Sequence, residues 1–98
     1  MVSARALFGS CLYIAETLLP AFGVDVTFVD GTDLEAWQGA IRPNTKVLFL
    51  EAMSNPTLEI IDIAGVSKIS RAAGATLVVD NVFATPVLQR SLDLGADV

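Results

Sequence analysis

Three short apolar runs, VDVTFV (Val24–Val29), KVLFL (Lys46–Leu50) and TLVV (Thr76–Val79), recur through the chain with longer, less uniform stretches between them. Each run is nearly continuously apolar and bounded by turn residues, the pattern of strands buried on both faces. The intervening stretches Leu12–Phe22, Asp33–Ala40 and Asp62–Ala73 read as helices. Ser10 is a candidate N-cap for the first, which Pro20 ends or kinks, and Asp62 is one for the third. Gly74 stands where a left-handed residue closes a helix. Strand, helix, strand, helix with right-handed crossovers gives an α/β fold, a three-layer arrangement of a mostly parallel sheet with flanking helices. Leu92–Val98 (LDLGADV) reads as a short helix followed by the start of another strand.

The composition sits awkwardly with a free-standing domain of this size. Apolar residues make up 53 % of the 98 even before glycine is added, above the ~45–50 % usual when glycine is included. Charged residues are only 17 %. A single-domain slab of a larger protein, spanning residues 1–98, is the expectation. The net charge of −5 without a basic run argues against nucleic acid, whose phosphates Lys and Arg must neutralise. No apolar run reaches the ~18 residues that span a bilayer, and MVSARALFGS lacks a secretory signal's basic flank and apolar core, so a cytoplasmic location is expected. Cys11 is alone, which rules out an intrachain disulfide, and with no histidine a zinc site is not expected.

In open parallel sheets, ligands bind beyond the carboxyl ends of the strands. Asp30, Glu51 and Asp80 fall there, and Ser54, Asn55 and Pro56 follow the second run. Each acid has a structural reading, as an acceptor for the N–H groups of the following turn. Asn-Pro is likewise a common turn opener. No glycines are spaced as G-x-G for a dinucleotide, no P-loop occurs, and serine hydrolase chemistry lacks its histidine.

The stretches TKVLFLEAMSNPTLEIIDI and GATLVVDNVFATP, with S-N-P and V-V-D-N at a fixed separation, resemble the Cys/Met-metabolism enzymes that use pyridoxal 5′-phosphate. That family includes cystathionine γ-synthase, the cystathionine lyases, methionine γ-lyase and the homoserine-ester sulfhydrylases. The resemblance covers essentially the whole chain, and ARALFGSCLYIAETLLPAFGV is most similar to the branch of O-succinylhomoserine sulfhydrylases. It implies the large cofactor-binding domain of a fold type I enzyme and a sulfur amino-acid reaction of methionine biosynthesis or transsulfuration. The expected parent reaction is γ-replacement on O-succinyl- or O-acetylhomoserine by sulfide or cysteine. Intact relatives are tetramers, so a homo-oligomer is expected.

By the same resemblance, Asp80 lies against the pyridine nitrogen of the cofactor and keeps it protonated, which makes the ring a better electron sink. Asn55 matches the asparagine near the ring hydroxyl. Phe8 falls where most members have a tyrosine stacked on the ring, their Y-G-x-T reading here as F-G-S-C; stacking survives and the phenol does not. Val82 stands where many members have threonine, and Ala52-Met53 where Thr-Pro is usual.

The family's chemistry needs a lysine that forms a Schiff base with the cofactor. Only Lys46 and Lys68 are present. Lys46 opens its strand, about 13 Å from the far end at roughly 3.3 Å per residue, and Lys68 falls within a helix of mixed polarity. In the family the lysine follows L-G-A-D, which here is the end of the sequence. The expectation is a central piece of the large domain, without catalytic residues of its own and inactive alone. Bare sheet edges and apolar faces would drive its self-association. A competing reading is a small α/β binding module, receiver-like, with Asp80 as phosphate acceptor; it needs a strand-end lysine that is not there. Another is an inert truncated remnant.

Overall fold

A computed structural model describes the whole chain, Met1–Val98. Its centre is a sheet of four strands, β1 (Val2–Ala4), β2 (Thr27–Val29), β3 (Val47–Glu51) and β4 (Thr76–Asp80), all parallel and ordered β2-β1-β3-β4. The helical segments are α1 (Gly9–Tyr13), α2 (Leu19–Ala21), α3 (Leu34–Gly39), α4 (Ile63–Ala73) and α5 (Thr85–Leu88). The strand order reverses between β1 and β3, which leaves a crevice at their carboxyl ends.

Strand β1 does not announce itself in the sequence. Its three residues include a serine and an alanine, too short and too small for an apolar run, yet it lies between β2 and β3 and completes both ladders. The first predicted strand also starts later than expected, at Thr27 instead of Val24.

Period-2 alternation sorts the side chains into two faces. Val2, Ala4, Leu48, Leu50 and Leu77 are fully buried on one, where Trp37, Ile63 and Val66 join the same core cluster. On the other, Phe28, Phe49 and Val78 are only half-buried. Burial on both faces, expected from the continuous runs, therefore holds only in part: the helices α3 and α4 seal one face more fully than anything seals the other.

Caps set the helix limits. The Asp33 carboxylate accepts the N–H groups of Glu35 (2.8 Å) and Ala36 (3.2 Å) at the start of α3. Asp62 accepts from Gly65 at 2.9 Å to open α4, and Gly74 closes it at φ +63°. Ser10 is not a cap: the helix begins one residue earlier, with Phe8 in extended conformation at the boundary and no side chain capping it. Between α1 and α2 the backbone widens into a π-helical turn, Ile14–Leu18. Pro20 supplies no N–H and its ring crowds the carbonyl of Glu16, so a wider turn just before it relieves both problems. The helix then ends at Ala21.

Leu92–Val98 forms a helical turn too short to count as a helix, followed by strand-like pairing. Asp97 N–H donates to the Leu77 carbonyl and Val79 N–H to the Val98 carbonyl, each at 2.9 Å, so the last residues begin to pair along the outer edge of β4. No helix is long and apolar enough to cross a membrane.

Candidate functional site: a cleft at the carboxyl ends of β1, β3 and β4

Register delivers the first two site residues. Glu51 and Asp80, the last residues of β3 and β4, are direct partners across the ladder, so their side chains leave the same face. Phe8 arrives on the loop after β1 and Asn55 on the loop after β3. Together with Val82 and Phe83 these four residues line a cleft of about 240 Å³. Asp80, Asn55 and Phe8, far apart in sequence, thus meet in one place.

Each is held locally. Asp80 Oδ1 accepts the Val82 N–H at 3.0 Å, the turn-stabilising role open to any strand-end aspartate, and it lines the cleft as well. The loop carrying Asn55 is organised by Ser54, fully buried, whose hydroxyl pairs with that of Thr57 at 2.6 Å and accepts the Glu59 N–H at 2.9 Å. The Asn55–Pro56 peptide is cis. Phe8 is half exposed, its ring bordering the cleft. Glu51, 4 % exposed, reaches both loops: Oε1 accepts the Phe8 N–H at 2.7 Å and Oε2 the Asn55 N–H at 3.2 Å.

Behind the cleft lies Cys11, its Sγ 4.0 Å from Asp80 Oδ2. Burial, then the negative charges of Glu51 and Asp80, push its thiol up, a hydrogen bond to Glu51 adds to this, and one to Ser10 opposes it. A thiol raised in the fold favours folding below the ordinary thiol pKa of about 8.5, and that advantage is lost as pH rises through the folded value. Native Cys11 is therefore expected to react with iodoacetamide more slowly than in the urea-unfolded chain at pH 8, with a rate midpoint displaced to alkaline pH. Equal rate profiles in the two states would contradict this. Sulfur and both carboxylates lie within 4.8 Å of one another, but with the thiol held protonated the group amounts to two carboxylates facing one space.

The third strand-end acid goes elsewhere. Asp30 accepts both the hydroxyl (2.7 Å) and the N–H (2.9 Å) of Thr32, which hold it below the usual carboxylate range, hydroxyl first. It borders a separate cavity with Arg5 and Glu59, because β2 lies on the far side of β1. Neither lysine reaches the cleft. Lys46 borders a cavity at the opposite strand ends with Met1 and Asp25, and Lys68 borders one with Gln38 and Ile41. The sequence places Glu51 at the strand end but does not reveal the two hydrogen bonds it accepts from the two loops, and it carries no signal for Phe83.

The model of the family described as Cys/Met metabolism PLP-dependent enzyme matches residues 1–98. The chain belongs to that family. Among Cys/Met metabolism enzymes, an O-succinylhomoserine sulfhydrylase of Mycobacterium tuberculosis is 49 % identical over 98 residues, all of this chain and 24 % of that protein. An L-methionine gamma-lyase of Treponema denticola is 47 % identical over 100 residues, 25 % of its length. The solved structure of an O-acetylhomoserine sulfhydrylase of Wolinella succinogenes superimposes with a TM-score of 0.93 at 42 % identity, covering 98 % of this chain and 28 % of that one. The cystathionine gamma-lyase of Lactobacillus plantarum, complexed with L-serine, gives 0.94 at 38 %. The fold is that of fold type I pyridoxal-phosphate enzymes, and the chain spans about a quarter of the length of these relatives.

Proposed function

We propose that the cleft holds the pyridine ring of pyridoxal 5′-phosphate, with Asp80 at the ring nitrogen, Asn55 at the ring hydroxyl and Phe8 against the ring face. The observation that carries this is the convergence of the three side chains in one cleft beside the topological switch point. The donor set fits the group. Two carboxylates share the site and no arginine or lysine lines it, so a cationic heteroaromatic ring supplies the missing positive charge. The size fits too: about 240 Å³ is below the ~300–1,000 Å³ of pockets for drug-sized ligands and suits a single ring.

When bound, the cofactor supplies an electron sink for carbanions of the amino-acid substrate. This chain's residues contribute orientation and charge. Asp80 holds a proton on the ring nitrogen, Asn55 donates an amide N–H to the ring oxygen, and Phe8 limits tilt without contributing a proton-carrying hydroxyl. No lysine stands at the cleft, so covalent attachment and turnover require residues outside it, and the 98-residue chain is inactive by itself. In the complete protein the reading is γ-replacement on an O-succinyl- or O-acetylhomoserine by a sulfur nucleophile, supported by the sulfhydrylases among its relatives. A cytoplasmic location and assembly as a homo-oligomer accompany it. Exposed Phe22, Val82, Val87 and Leu88 are surfaces suited to such contacts.

The test is binding of 4′-deoxypyridoxine 5′-phosphate, which has the ring and phosphate but no aldehyde to react with lysines. Asp80→Asn is expected to weaken it about 10- to 150-fold, the equivalent of a charged hydrogen bond of ~1.5–3 kcal/mol. The ring nitrogen, protonated to higher pH when bound to the wild-type chain, loses that shift in the variant. Equal affinity in the two proteins, or no binding to either, would refute the assignment.

A further inference from the structure

We propose that Glu51 is the positioning residue of this cleft: its two carboxylate oxygens hold the backbone N–H groups of Phe8 and Asn55 and thereby fix the ring and the amide that flank Asp80. The inference deepens, and rests on, the reading of the cleft as a ring site. Glu51 is 4 % exposed and has no cationic partner; the ion pair in the chain is Arg90 with Asp93, on the surface. A buried carboxylate without a counter-charge is costly unless its oxygens are satisfied by donors. Here each oxygen takes one, Phe8 N–H at 2.7 Å and Asn55 N–H at 3.2 Å. The two donors come from different loops, one after β1 and one after β3, so a single side chain ties together the two segments whose spacing defines the cleft.

A carboxylate is the only side-chain group of this length that accepts through both ends. Glutamine presents one oxygen and one NH₂, so in Glu51→Gln one of the two N–H groups faces a donor and its loop is released. Glu51 acts through Phe8 and Asn55 and is a positioning residue in that sense.

The test follows hydrogen exchange at the backbone amides of Phe8 and Asn55 by NMR. Both amides are expected to be protected in the wild-type chain, where each is held by an oxygen of Glu51. That protection should persist in Asp80→Asn, whereas in Glu51→Gln exchange at one of the two positions should rise about tenfold. An unprotected amide at either position in the wild type, or unchanged exchange at both in Glu51→Gln, would overturn the proposal. The wild-type measurement decides this even if the variant does not fold. In parallel, Glu51→Gln should weaken 4′-deoxypyridoxine 5′-phosphate about tenfold. If Asp80→Asn weakens the probe and Glu51→Gln does not, the positioning role fails and the ring site stands. If the probe ignores Asp80, the ring site fails, and amide exchange at Phe8 and Asn55 still judges Glu51.

Discussion

Trp37→Ala is expected to remove most of the stability of this chain. Trp37 is 0 % exposed and belongs to the core cluster with Ile63, Val66 and the buried face of the sheet. Truncating a buried tryptophan costs about 3–5 kcal/mol, because the lost transfer energy is compounded by the cavity left behind. A second loss is specific to this site. The indole N–H donates to the Gly31 carbonyl at 3.0 Å in a buried position, and an acceptor orphaned there costs about 1–3 kcal/mol more. Domains of this size are stable by only ~5–15 kcal/mol in total, so urea unfolding followed by circular dichroism should show a midpoint displaced most of the way to zero denaturant. Trp37→Phe keeps most of the volume and should lose less. A midpoint for Trp37→Ala within about 1 kcal/mol of wild type would mean that α3 does not anchor the core.

Gly95→Ala is expected to cost about 2–4 kcal/mol, from backbone strain and one lost hydrogen bond. Gly95 sits at φ +102°, where a side chain is strained, and an added methyl would run into the Ser67 hydroxyl and its Cβ and lie 3.1 Å from the Arg71 side chain. Ser67 cannot easily give way, since it is buried and its hydroxyl donates to the Gly95 carbonyl at 2.9 Å. The consequence reaches the sheet. The turn through Gly95 delivers Asp97, whose carboxylate accepts the Leu77 N–H at 2.8 Å while its own N–H donates to the Leu77 carbonyl. Hydrogen exchange at Leu77 and Val79 should therefore accelerate in the variant, together with a lower urea midpoint. Unchanged exchange at both would show that the edge of β4 is held without this turn.

Much of this was legible in sequence because the signals are local. The runs at Lys46–Leu50 and Thr76–Val79 declare strands, Asp62 and Gly74 declare the limits of α4, and a strand end is where an aspartate meets the turn that follows it. Where a signal was missing or misleading, a longer-range effect had decided. Strand β1 is three residues, Val2–Ala4, too few to form a strand alone; it exists because β2 and β3 hydrogen-bond to it on both sides. Ser10 has the chemistry of a cap, but the Glu51 carboxylate takes the Phe8 N–H and the helix begins one residue before Ser10. Continuous apolar runs imply two covered faces, and the sequence of one strand carries no information about which helices arrive on which side.

The ring site divides in the same way. The sequence by itself determined which groups are available and at which strand ends: an aspartate closing β4, an asparagine in the turn after β3, an aromatic ring after Leu7, and no lysine near any of them. Only the tertiary structure decided that these groups meet. The order β2-β1-β3-β4 puts the loop bearing Phe8 beside Glu51 and Asp80 and leaves Asp30 on the far side of β1. The physical reason is that a parallel strand's neighbours are chosen by burial and hydrogen bonding over the whole sheet, and neighbouring strands' carboxyl ends are the ones whose loops can share a cleft.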